Sequence, residues 1–102
     1  MPIFHKFHAK PCEFDGFKFS SKLEGRYYNE LKIKKASGEV VFFLRQVPFH
    51  LPGNVKYLVD FVIFLSNGSV EFVDTKGLDT PLSIAKRKQV EALYPVEIKI
   101  VK

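Results

Sequence analysis

The chain has 102 residues, 46% of them hydrophobic and 15% aromatic, which suits one folded domain with a single core and excludes a disordered chain. Sixteen Lys and Arg against 11 Asp and Glu leave a net charge of +5, a balance that points to a polyanionic partner without naming it. The single cysteine, Cys12, excludes an internal disulfide and fits a reducing cytoplasm; no apolar run approaches the ~18 residues that span a bilayer, and no signal-peptide core is present, so no membrane partner is expected.

Residues 1–13 form a basic, aromatic N-terminal arm with Lys6 and Lys10 placed to lie along a phosphate backbone. His5-x-x-His8 lacks cysteine partners at zinc spacing and reads as structural or exposed histidines rather than as a metal site. Phe14–Phe19 reads as a small hairpin around Asp15-Gly16. A helix opens at Ser20–Glu24 and runs to about Lys34 or Lys35, with Leu23, Tyr27, Tyr28 and Leu31 as its apolar stripe. Ser21-x-x-Glu24 is a capping box, which accounts for Glu24 structurally. Glu24 also lies on the core-facing stripe, where an acid can reach a sheet rim, and the two roles are compatible.

Glu39–Val47 reads as a strand stopped by Pro48, with Gln46 a polar residue at its end, followed by a loop over His50–Asn54. Two β-branched and aromatic runs, Val59–Leu65 and Val70–Lys76, then flank Ser66-Asn67-Gly68. A two-residue Asn-Gly loop would set Asp60 opposite Thr75. A three-residue loop with Gly68 left-handed pairs Leu65 with Ser69 and sets Asp60 opposite Asp74, Val62 opposite Phe72 and Phe64 opposite Val70. The second register is the one expected here, with both acids at the end of one apolar face; acids on opposite faces would break the constellation. Thr80 and Pro81 cap and open a second helix to about Leu93, whose expected inward stripe is Leu82, Ala85, Lys86, Gln89, Val90 and Leu93. Lys86 on that stripe either snorkels or reaches a phosphate; Arg87 and Lys88 add to the basic surface. Val96–Val101 alternates as a last strand. The resulting order is helix, three-strand antiparallel meander, helix, strand: an α/β fold with a mixed sheet, the last strand joining parallel to that of Asp74 by a right-handed crossover.

A carboxylate and a lysine side by side at a sheet rim are the groups that metal-assisted phosphodiester hydrolysis needs. Asp/Glu-x-Lys occurs three times, at Glu30-Leu31-Lys32, Asp74-Thr75-Lys76 and Glu97-Ile98-Lys99, and only the second has an acid-bearing partner strand joined to it by a hairpin. The succession Glu24, Asp60, Asp74-x-Lys76 in this element order resembles the PD-(D/E)XK nuclease superfamily. More closely, Asp15–Glu24, Gln46-Val47-Pro48-Phe49, Tyr57–Phe61, Val73–Gly77 and Thr80-Pro81 resemble a family of small phage-encoded proteins assigned to that superfamily, over roughly residues 13 to 101. The superfamily's Pro before the first Asp is Val59 here.

This resemblance implies a restriction-endonuclease-like core and a Mg²⁺-dependent DNA endonuclease, with Mn²⁺ as a substitute ion, that cuts branched DNA such as Holliday junctions or nicks it, in the cytoplasm of a bacterial host. It implies that Asp60 and Asp74, with the Thr75 carbonyl, ligate the metal, that Lys76 serves the attacking water or the developing charge, that Glu24 completes the site, and that Lys86 and Gln46 contact the phosphate. Symmetric cutting of a four-way junction would call for a C₂ homodimer. Two other classes remain: a nuclease fold that has lost catalysis and binds DNA or another phage protein, and an interaction domain whose acids form surface pairs.

Overall fold

The computed structural model describes residues 11–102. A small antiparallel hairpin comes first, β1 (Cys12–Phe14) and β2 (Phe17–Phe19), turned by Asp15 and Gly16, both with positive φ as a type I′ turn requires. Then follow α1 (Lys22–Ala36), β3 (Val40–Leu51), β4 (Val55–Leu65), β5 (Val70–Thr75), α2 (Pro81–Leu93) and β6 (Ile98–Val101). The larger sheet is mixed, in the order β3-β4-β5-β6, with antiparallel pairs except for β6, which runs parallel to β5.

The helices cover opposite faces of this sheet. Tyr28 and Leu31 of α1 pack with Phe19, Phe61, Ile63 and Val73; Val90 of α2 packs with Tyr57, Val59, Val62 and Ile98. Alternation along β5 and β6 sends Val73 and Val101 to the α1 side and Phe72, Ile98 and Ile100 to the α2 side.

Three sequence expectations change. Pro48 does not stop β3, which continues through it to Leu51 and pairs Pro48 with Leu58. β3 is an edge strand, where a proline's missing N–H leaves no ladder bond unmade. The predicted loop therefore shrinks to a turn at Pro52-Gly53-Asn54, and β4 begins at Val55. The third change is the rotation of α2. Leu82 and Leu93 are 66% and 55% exposed, and Val90 is the only residue of the helix that is fully buried. Arg87, Glu91 and Tyr94 carry its polar contacts instead: Arg87 grips Asp79, Glu91 accepts from the Ile98 N–H, and the Tyr94 hydroxyl donates to the His50 carbonyl. The helix is turned by about one residue, roughly 100°, from the expected stripe, because these polar anchors outweigh the burial of two leucines at its ends.

The β4–β5 register is the three-residue-loop one. Phe61 pairs with Val73, Val62 with Phe72 and Phe64 with Val70. The Leu65 N–H donates to the Ser69 carbonyl at 2.9 Å, and Gly68 sits at φ +90°. The same count places Asp60 across from Asp74. Because an L-residue at a left-handed φ costs about 1–2 kcal/mol, Gly68→Ala is expected to lower stability by about that amount. Urea denaturation checks this; an unchanged midpoint would mean the loop does not hold the register in this way.

Candidate active site at a break in the sheet

The site arises where β3 and β4 change faces. Phe43 of β3 and Phe61 and Ile63 of β4 pack on the α1 side, whereas Val47, Phe49 and Leu51 of β3 and Tyr57 and Val59 of β4 pack on the α2 side. All are odd-numbered, and an uninterrupted strand keeps residues two apart on one face. The pairing runs unshifted across this point, from Arg45 with Phe61 to Val47 with Val59, so the switch falls on Gln46 and Asp60, one across from the other. Gln46 has φ +52°, a left-handed conformation that a non-glycine residue holds only when its surroundings enforce it.

The switch pulls β4 away from β5. The ladder between them ends at Phe61 and Val73, and the next N–H groups lack strand partners. Carboxylates take those places. Asp74 Oδ1 accepts from the Asp60 N–H at 2.8 Å, and Asp60 Oδ2 accepts from both the N–H and the hydroxyl of Thr75, each at 2.9 Å. Each acid thus closes the backbone of the other's strand. The register expected from the sequence is present, but the two carboxylates do not stand side by side at the end of one apolar face. The partners of Asp60 lie in the gap between the strands, while Asp74 meets the Tyr57 hydroxyl from the α2 side.

Glu24 enters from α1. Ser21 caps the helix by accepting from the Glu24 N–H at 3.0 Å. The Glu24 carboxylate reaches back to Ser20 rather than Ser21, accepting from its N–H and its hydroxyl. Its second oxygen accepts from Gln46 Nε2 at 2.8 Å, and the same nitrogen donates to Asp60 Oδ1 at 3.1 Å. The Ser21 half of the capping box is made, the Glu24 carboxylate turns to Ser20 instead of the Ser21 N–H, and the same carboxylate meets Gln46. An amide nitrogen placed between two carboxylates marks a point where positive charge is favoured; an amide oxygen there would be repelled by both.

Glu24 and Asp74 are each 1% exposed. No Lys or Arg lies within ion-pair distance of Glu24, Asp60 or Asp74 among the described residues. Burial pushes the Asp74 acid above the usual carboxylate range, and the Asp60 charge adds to this; the Tyr57 hydroxyl, the Asp60 N–H and the Lys76 charge pull the other way without reversing it. Burial and the same hydrogen bond raise the Tyr57 phenol.

Lys76 follows the end of β5, half-buried, its N–H donating to the Val101 carbonyl. Lys86 is half-buried and Lys88 exposed on α2. Arg87 is occupied, holding Asp79 through two hydrogen bonds of 3.1 and 2.7 Å. Lys6 and Lys10 lie outside the described residues. Tyr57 and Ser20 are members of the site that sequence reasoning missed. The alternation of Tyr57 and Val59 with exposed Lys56 and Leu58 carries the signal for Tyr57, and starting the strand at Val59 hides it.

A family model matches residues 4–102. The chain belongs to the family described as protein of unknown function (DUF1064). Neither the curated proteins nor the solved structures contain a match. In this DUF1064 member no three His, Cys, Asp or Glu side chains converge as a metal cage among the described residues. Protein donors meet every oxygen of Glu24, Asp60 and Asp74. Glu24 Oε2, Asp60 Oδ1 and both oxygens of Asp74 accept one bond each and keep a second lone pair, and as hard oxygens they suit Mg²⁺ or Mn²⁺ in kind.

Because the folded Asp74 binds its proton more tightly than the unfolded one, its ionisation lowers stability as pH rises from the ordinary carboxylate range through the raised value. Asp74→Asn is expected to remove that component. Urea midpoints across mildly acidic to neutral pH check this: the variant should match or exceed wild type at neutral pH and show a shallower decline. A steeper decline would contradict the burial of a strained charge.

Proposed function

We propose that this protein is a metal-dependent DNA endonuclease hydrolysing phosphodiester bonds, and that it acts on branched or nicked DNA. The observation that carries the reading is the chain of three carboxylates linked through Gln46 and the Asp60 N–H at the sheet break, two of them buried and none paired with a cation among the described residues. Buried charge of one sign without a counter-ion is retained where it serves a ligand or a reaction. The resemblance of Glu24, Asp60 and Asp74-x-Lys76 to the PD-(D/E)XK pattern supplies the reaction class, and the net charge of +5 suits a polyanionic substrate.

Asp60, Asp74 and the Thr75 carbonyl, with Glu24 beside them, are the groups that would hold Mg²⁺ or Mn²⁺, which when bound supplies a Lewis acid and an activated water. Gln46 holds Glu24 and Asp60 apart and in fixed orientation. Tyr57 and the Asp60 N–H fix both oxygens of Asp74. Lys76, whose charge is felt at Asp74, orients the attacking water or meets the negative charge that grows on the phosphoryl oxygens as the new P–O bond forms and the leaving oxygen departs. Lys86 and Lys88 supply phosphate contacts on α2, and a C₂ homodimer would provide the two sites that symmetric cutting of a junction needs.

That each of the six carboxylate oxygens already accepts from a protein donor favours a second reading, a nuclease fold that binds DNA without cutting it. Cleavage and binding measured in one Mg²⁺ buffer, over single-stranded, duplex, flap and four-way-junction substrates, separate the two. The nuclease reading expects wild type to cut and Asp74→Asn not to, with DNA binding kept, and Lys76→Ala to lose about a hundredfold or more in rate. Binding without cutting on every substrate supports the second reading. Equal cutting by wild type and Asp74→Asn would place the chemistry elsewhere.

A further inference from the structure

Next to Gln46 on β3, Arg45 points to the α1 side and has no role in the carboxylate site. Its guanidinium carbon lies 4.4 Å from the Phe19 ring centroid, 4.9 Å from that of Phe17 and 6.0 Å from that of Tyr28. Aromatic faces attract a guanidinium, but they do not satisfy its N–H donors. Arg45 has no carboxylate within ion-pair distance among the described residues, and its Nε is buried without a hydrogen-bond partner. The nearby acid is already committed: Asp15 binds Lys32 and the Tyr28 hydroxyl. Arginine cannot shed its proton, so a half-buried guanidinium in this setting stays charged and short of an acceptor.

The space in front of it is a pocket of about 420 Å³ lined by Arg45, Lys35, Phe17, Tyr28 and Phe43. It holds two cations and no acid. Phe17, on the β1–β2 hairpin, lines this pocket and is 47% exposed. A planar cation for phosphate oxygens beside an open aromatic ring for a base is the combination that takes an unstacked nucleotide; a base paired within a duplex cannot present its face to such a ring.

We propose that this pocket holds one unpaired nucleotide of the DNA substrate, its phosphate on Arg45 and Lys35 and its base stacked on Phe17. The assignment of the nucleotide to a DNA substrate rests on the nuclease reading, since Arg45 adjoins Gln46 and hence the carboxylates. It gives that reading a structural preference: strands with an unpaired nucleotide beside the cutting site, as at flaps, nicks and junctions, bind better than continuous duplex.

The test is binding of a short fluorescein-labelled oligothymidylate in EDTA, followed by anisotropy, so that no cleavage is involved. Phe17→Ala and Arg45→Gln are each expected to weaken binding about tenfold, and Phe17→Trp to preserve it. Thermal unfolding monitored alongside checks the fold; Phe17 is exposed, so Phe17→Ala carries the test even where Arg45→Gln fails to fold. Wild-type affinity in Phe17→Ala would overturn the proposal. So would displacement of the oligonucleotide by inorganic phosphate at equal phosphate concentration, which would reduce the pocket to a simple anion site. Cleavage by wild type with unchanged binding in the variants sinks the pocket alone. Aromatic-dependent binding with no cleavage of any substrate sinks the nuclease reading and leaves the pocket standing.

Discussion

Everything at the site depends on the face switch in β3 and β4. A long edge hairpin must cover α1's side of the sheet with one half and α2's side with the other, and strand alternation forbids this without an interruption. Gln46 accepts a left-handed backbone to provide it, and Asp60 lies directly across. The interruption ends the β4–β5 ladder early and exposes two backbone N–H groups that have to be satisfied. Acids do this, where serine or asparagine side chains would serve as well for hydrogen bonding alone. The choice of charged acceptors at a buried break is what turns a folding problem into a candidate site.

The electrostatics follow from the same geometry. Glu24, Asp60 and Asp74 form a chain in which neutral donors — an amide, a phenol, hydroxyls and backbone N–H groups — stand between the charges. Hydrogen bonds from neutral groups support a carboxylate but do not cancel its charge, and Asp74 is accordingly held in its acid form more readily than an exposed aspartate. The Lys76 charge is felt at Asp74, while other cations among the described residues have other places. Arg87 is bound to Asp79 and Lys32 to Asp15, while Arg45 and Lys35 line a pocket that has no acid in its lining.

Much of this was legible in the residues. Ser66-Asn67-Gly68 specified the hairpin register because only one loop length sets all the apolar pairs opposite each other. Ser21-x-x-Glu24 and Thr80-Pro81 marked both helix starts through local capping chemistry. What was hidden is what tertiary packing decides. Pro48 looks like a terminator unless its strand is known to lie at an edge. The rotation of α2 depends on Asp79, His50 and the Ile98 N–H, none of which a helical period can reveal. The face switch has no local signature, since glutamine at a positive φ is chosen by its surroundings and not by propensity. With the switch unseen, the acids were expected side by side on one face, and Tyr57 was not expected among their partners.

On the proposed nuclease reading, the break in the sheet holds a divalent cation. Calorimetric titration of Mn²⁺ into the wild-type protein and into Asp60→Asn tests it without any substrate. The account predicts one saturable site in wild type that is lost or weakened at least tenfold in Asp60→Asn, while both proteins unfold cooperatively in the absence of metal. No binding to wild type, or equal binding to both, would contradict it and leave the three acids as a device for closing the sheet.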